Sequence, residues 1–366
     1  MKVSRFIFLL CFVIISACSK QSPADDVGEA IAFSEPTVGQ TKSALIRETV
    51  QMQSGINELA YSVFASRYIP SQGGSITTHE QFMDNVKVHT TLTDGVAGTE
   101  WSYDMDSNTD GNQSVYWTIG AAHKFFAAYP YYDESSDDYD GGVSYEIDEE
   151  KHALKVTKPN KVTKANDPII TGLDNSGKNI CPDILYGTIL YDKPYSILDK
   201  TDKVRFDLNH ALAAVSFKIT NGMTNQSITS IEDMSMTGIM NSADQLYLSE
   251  DGAEWPAWEE LETDNSASFN FPDITGISLT SGQSSDLYTA LVIPQNFAQY
   301  VIDFTFKVKG VKYEIKLSDY KVGTGADLFA YISGNHYIYN FDVTSTDITC
   351  TLSVVPWIAD EIIELN

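Results

Sequence analysis

Cysteine and positive charge are both scarce in this chain. Four cysteines are spread over 366 residues with no CxxC pair and no Cys/His cluster, which speaks against a structural zinc site. Lysine and arginine number 24 against 50 aspartates and glutamates, a formal net charge of −26. A chain of that sign repels phosphate backbones, so no nucleic-acid partner is expected. Catalytic signatures are missing too: there is no GxSxG elbow, no HExxH helix and no GxxxxGK[ST] phosphate loop. The histidines, at positions 79, 89, 123, 152, 210 and 336, stand singly. A Ser-His-Asp site can assemble from scattered residues, but nothing local points to one, and the chain is read as a non-enzyme without a required cofactor.

The conspicuous apolar run, Phe6 to Ile15, is too short to span a bilayer as a helix. Preceded by Lys2 and Arg5 and followed by Ser16 and Ala17, it has the three regions of a signal peptide. Ile15-Ser16-Ala17-Cys18 resembles the bacterial lipobox, which implies that Cys18 is acylated and becomes the first residue of a membrane-anchored lipoprotein. Ser19 in the next position implies passage to the outer membrane. Removing residues 1–17 takes away Lys2 and Arg5 and no acid, so −26 becomes −28. Residues 18–30 read as a polar tether. Cys181 and Cys350 are then the remaining thiols, and the exported compartment permits a disulfide without showing that they pair.

The periodic signal beyond the tether is β. Ile302, Phe304, Phe306 and Val308 alternate with polar residues, and after Lys309-Gly310 the alternation resumes at Val311, Tyr313, Ile315 and Leu317, which predicts a two-residue hairpin. A second hairpin is expected from Val143, Tyr145 and Ile147 to Leu154 and Val156. Further strands are expected at Leu59 to Tyr68, Val86 to Leu92, Val115 to Ile119, Lys124 to Tyr129, Ala213 to Thr220, Tyr288 to Ile293, Tyr337 to Val343 and Ile348 to Val355. Only Ser43 to Gln53 reads as helical. Many short strands broken by Gly, Asn, Asp and Ser predict an all-β protein of two tandem β-sandwich domains, residues 31–198 and 199–366, divided in the polar break Asp192 to Lys203.

Two features suggest ligands. Asp106, Asn108 and Asp110, followed by Gly111, match the front half of a calcium loop, with oxygen donors at alternate positions. The position of the bidentate Glu is Trp117, however, and a solvated hairpin turn explains the same residues. Tyr129, Tyr131 and Tyr132 beside Phe125 and Phe126 could form a sugar-stacking platform, but alternation turns about half of them to a core and ordinary sandwich packing is the preferred reading. The acidic residues from Asp133 to Asp140 read as a solvated loop.

Several separated blocks resemble the fimbrillin family, the Mfa-like and FimA-like subunits of type V pili on anaerobic Gram-negative bacteria, and they follow the family's order. They are Ile31-Ala32-Phe33-Ser34 with Thr41-Lys42-Ser43; Val115-Tyr116-Trp117 with Lys124 through Pro130; Asp183-Ile184-Leu185-Tyr186-Gly187; Phe206 through Val215 around His210; Leu291-Val292-Ile293-Pro294-Gln295; Gly334-Asn335-His336-Tyr337-Ile338-Tyr339; and Val355-Pro356-Trp357. The spacing before His210 is longer than in the family pattern.

The resemblance implies two sandwiches of Greek-key-like, transthyretin-like topology in one rod-like subunit of a cell-surface fimbrium that supports adhesion. It also implies assembly with other fimbrial subunits by strand addition: a protease cuts after a basic residue, the first strand leaves, and a neighbour's strand fills the groove. Arg47 and Lys42 are the candidate cleavage positions, with Arg67 disfavoured because it falls inside an expected strand. A host or bacterial surface receptor and, before trimming, the membrane through the Cys18 lipid are the other implied partners. Ile348, Cys350, Leu352 and Val354 share one apolar face, so the C-terminal strand is a candidate donor. The competing reading is a surface glycan-binding lipoprotein on the same sandwiches that stays monomeric.

Overall fold

Residues 27–38, 58–70, 76–93, 96–104, 114–132, 143–151, 153–159, 166–174, 176–196, 203–248, 256–259, 268–296, 302–320, 330–345 and 347–357 are described by a computed structural model. Ser43 to Gln53 and the division between residues 198 and 199 lie outside them. Within them the chain is almost wholly strand, in mostly antiparallel sheets packed face to face with no barrel.

Alternation produces the hairpins where it was expected. Asp303–Val308 pairs with Val311–Lys316 so that Phe304 faces Ile315 and Phe306 faces Tyr313. Lys309 and Gly310 both take positive φ, 51° and 75°, as a tight two-residue hairpin turn requires. Ser144–Asp148 pairs with Ala153–Pro159, matching Ile147 to Leu154 and Tyr145 to Val156.

The first large sheet runs in the order Thr37–Val38, Asp207–His210, Leu185–Tyr191, Ala122–Tyr129, Glu58–Pro70, Ile76–Thr93 and Val96–Ala97, with Ser102–Asp104 also on Ile76–Thr93. Its central strands are buried on both faces. Val63, Ala65, Phe125 and Ala127 enter one core with Ile31, Phe33, Tyr61, Trp117 and Phe206. Phe64, Phe126 and Ala128, pointing the other way, enter a second core. The run Phe125-Phe126-Ala127-Ala128 is therefore apolar without interruption because neither face meets water.

Ala213–Asn221 repeats this arrangement in the C-terminal half. It lies between Tyr288–Val292 and Asn335–Val343, and the sheet ends on Ile348–Pro356. Ala213, Val215 and Phe217 face a C-terminal core closed by Ile228–Thr237, Asp303–Val308 and their neighbours, where Phe217 stacks on Phe304 at 3.9 Å. Leu212 and Ala214 face the second core instead. That second core lies between the other two and is shared. Its own sheet interleaves the halves, with Ala153–Pro159 paired to Gln245–Leu248 so that Leu154 meets Leu248 and Val156 meets Leu246. Val204, Phe206 and Leu208, which lie beyond residue 198, pack in the first core.

Candidate functional site

The segment 27–38 bridges two sheet edges. Val27–Ala30 runs antiparallel to Tyr116–Thr118, and Thr37–Val38 runs parallel to Asp207–Leu208. Ile31 N–H donates to Val115 O (2.7 Å), Ser34 N–H to Val204 O (3.0 Å) and Thr37 N–H to Phe206 O (2.8 Å), while Val204 N–H donates to Ala32 O (2.7 Å). Alternation sends Ile31 and Phe33 inward, 2% and 1% exposed, and leaves Ala32 outside. Phe33 meets Tyr103 edge-on at 5.5 Å and stacks with Phe206 at 6.4 Å. Gly28 allows the close approach at the entry: a Cβ there would lie 2.2 Å from Tyr195 Cε1 and 2.9 Å from Trp117 O. Without this segment the first core would open at Ile31 and Phe33, and the backbone of 115 and 204–206 would lose its partners. Such a cleft has the two requirements of strand addition, free ladder groups and apolar pockets at every second position.

At its start, where Val27 pairs with Thr118, the segment adjoins a polar clamp. Arg67 donates through Nη1 to Thr118 Oγ1 (2.8 Å) and through Nε and Nη2 to Glu80 Oε2 (2.9 and 2.7 Å). Thr118 N–H donates to Nε2 of the fully buried His123 at 3.2 Å, which requires an unprotonated Nε2. Burial first, and the Arg67 charge second, push the His123 pKa down to about 4.

The second convergence is at the junction between the halves. His210 Nδ1 lies 2.9 and 3.0 Å from the two Asp183 oxygens, and the His210 ring stacks on Trp357 at 3.7 Å with 10° between the planes. All three side chains are buried. Trp357 N–H donates to Gly334 O (2.7 Å) and Gly334 N–H to Leu212 O (2.9 Å). Nearby, Gln295 bonds both backbone groups of Met240 through its amide, each at 2.9 Å. Three of the sequence blocks that lie far apart, those of Asp183, His210 and Trp357, thus meet at one point.

Of the sequence-derived sites, Cys18, Lys42, Arg47, Asp106, Asn108 and Asp110 all lie outside the described residues. Arg67 lies within a strand paired on both sides, to Ile76–Thr93 and to Ala122–Tyr129. The aromatic platform is divided: Phe125 faces the first core, Phe126 the shared core, Tyr129 packs against the former and Tyr132 against the latter. Cys181 in the shared core and Cys350 on the terminal strand are free thiols, and burial pushes each up to about 12. Ile348–Pro356 pairs along its whole length with Asn335–Val343 of its own chain, with Ile348, Cys350 and Leu352 half-buried and Val354 exposed.

Among the described residues no three His, Cys, Asp or Glu side chains are grouped to hold a metal, and no helix is long and apolar enough to cross a membrane. Ser216 Oγ lies 2.6 Å from His336 Nε2, but both side chains are sealed in the interior, with Thr289 as a further partner of Ser216. The His123 clamp and the Asp183–His210–Trp357 junction escaped sequence reasoning because their members are distant in the chain. Membership of separate family-like blocks was the signal that could have joined the latter three.

Comparison with known proteins agrees with this geometry. The fimbrillin-like family model matches residues 62–357. Among solved structures, a protein described as a cell adhesion protein from Bacteroides ovatus is 13% identical, with 90% of this chain and 98% of that one covered and a TM-score of 0.53. A fimbrial protein from Bacteroides vulgatus is also 13% identical, with coverage of 90% and 99% and a TM-score of 0.53. At that identity the likeness establishes the fold. No curated protein matches the chain.

Proposed function

The chain belongs to the fimbrillin-like family, and from that premise we propose that it is a structural, non-catalytic subunit of a cell-surface fimbrium that supports adhesion. It is exported as a lipoprotein through Cys18, held at the outer membrane by that lipid, and trimmed after Arg47 or Lys42. Residues 27–38 then leave, and a strand of a neighbouring subunit takes their place. The observation that carries this reading is the bridging segment itself. It supplies two apolar plugs, Ile31 and Phe33, and backbone bonds to both edges, so its departure creates a groove that only another extended strand completes.

The position of the basic residues fits the same scheme. Lys42 and Arg47 follow the bridging segment and precede Glu58–Pro70, so a cut there separates the plug and the Cys18 lipid from the body of the fold. Arg67, embedded in the ladder, is protected from a protease that needs an extended, accessible substrate. Incubating the purified precursor with a trypsin-like protease tests the reading. SDS-resistant ladders of subunits are expected, and Arg47→Ala with Lys42→Ala should abolish them. Clean trimming that leaves only monomers would sink the strand-exchange scheme and favour the glycan-binding alternative.

A further inference from the structure

Residues 203–210 touch both ends of the subunit's assembly apparatus. Their first part is held by the bridging segment: Val204 and Phe206 exchange backbone bonds with Ala32, Ser34 and Thr37, and Thr37 Oγ1 bonds the Asp207 carboxylate. Their last residue, His210, holds Asp183 and stacks on Trp357. Trp357 directly follows Ile348–Pro356, the edge strand that carries no charged residue and has no described partner on its outer side. A different edge of this half, Val311–Lys316, carries Lys312, Glu314 and Lys316, the usual protection against unwanted pairing. The terminal strand lacks that protection and relies on being held.

We propose that residues 203–210 form a coupling strap: the bridging segment, while present, keeps His210 in its stack with Trp357, and its removal loosens the terminal strand. The strap's ladder explains how. Leu185–Tyr191 pairs with it only at Asn209 and His210, with Ala211 N–H donating to Ile184 O. Over 204–208 the regular backbone partners are those of the bridging segment. Asp207 O lies close over Gly187, where a Cβ would stand 2.7 Å away, so the strap crosses that strand in van der Waals contact. With residues 27–38 gone, 204–208 keeps the burial of Val204, Phe206 and Leu208 but loses its hydrogen-bonded border. Its motion is then transmitted through the two paired residues to the His210 ring. The effect is a safeguard: an untrimmed subunit keeps its unprotected edge strand bound, and trimming loosens both ends together.

This inference rests on the subunit reading for its use, and its test does not. Coupling between two sites is reciprocal, so amide hydrogen exchange on the untrimmed chain reads it from both sides. Ser34→Pro removes the donor to Val204 O and should speed exchange of the terminal-strand amides, residues 348–357, by about tenfold or more. His210→Phe keeps a ring on Trp357 but drops the Asp183 contact, and should speed exchange at Ile31, Ser34 and Thr37. If Ser34→Pro does not fold, Thr37→Val, which removes only the hydroxyl bonds to Phe206 O and Asp207, supplies the same readout. Variants that each loosen only their own end would overturn the strap. Failure of protease-driven polymerisation would leave this exchange result standing, and the converse holds, so the two proposals fail separately.

Discussion

The rings of His210 and Trp357 lie 3.7 Å apart and nearly parallel, one from the strand that leaves the first sheet and the other from just past the last strand. Stacking covers one face of an imidazole whose Nδ1 is already committed to Asp183. Trp357→Ala would empty a large buried site and expose that pair, at a cost of about 3 kcal/mol. A double-mutant cycle with His210→Ala, read by urea denaturation, should return a coupling energy of about 1 kcal/mol. Strict additivity would mean that the stack is incidental.

His123 sets an acid limit on the border of the bridging segment. Its folded pKa, about 4, lies below the ordinary 6.5, so the unfolded chain takes up the proton first as pH falls. Its contribution is whole above about pH 6.5 and is lost between about 6.5 and 4, on the order of 3 kcal/mol at about 1.4 kcal/mol per unit. Protonation also removes the acceptor for Thr118 N–H, next to Val27. Denaturant midpoints at pH 7, 5.5 and 4.5 should fall more steeply for the parent than for His123→Phe; parallel profiles would contradict the assignment.

Phe33→Ala should weaken the plug without touching the body of the fold. The lost side chain is fully buried among Tyr103, Phe125 and Phe206, worth about 3 kcal/mol while the segment is docked. A chain cut after Lys42 or Arg47 would lack residue 33, so the two cut chains would be identical. Slow polymerisation of untrimmed Phe33→Ala, seen as ladders without protease, is the expected signature.

Cys181 and Cys350 should resist labelling at pH 8. With burial holding both thiols near 12, their thiolate fraction is small, and their pKa values leave them poor nucleophiles. Maleimide should modify both only after denaturation. Rapid modification of Cys350 alone would indicate that the terminal strand detaches in the resting protein.

How legible all this was in the sequence varied with distance along the chain. Alternation at Phe304, Phe306, Tyr313 and Ile315 encodes its own hairpin, because strand period and turn chemistry are local. The same rule turns only one of the neighbours Phe125 and Phe126 toward a given core and does not show what covers the other, since that depends on a second sheet assembled from 144–159 and 245–259. His210 stood out as a lone histidine within one family-like block, and nothing adjacent to it announces Asp183 or Trp357. The plug at Ile31 and Phe33 was recognisable as a strand by resemblance, but its two different border partners belong to the fold.

The interleaved middle sheet carries a mechanical consequence. Chains of subunits in a filament are pulled end to end, and two sandwiches joined by a bare linker would give way one after the other. Here Leu154 and Val156 from one half are laddered to Leu248 and Leu246 from the other, so tension between the halves loads this ladder. In a force–extension trace the subunit should rupture in a single event whose length gain spans both halves.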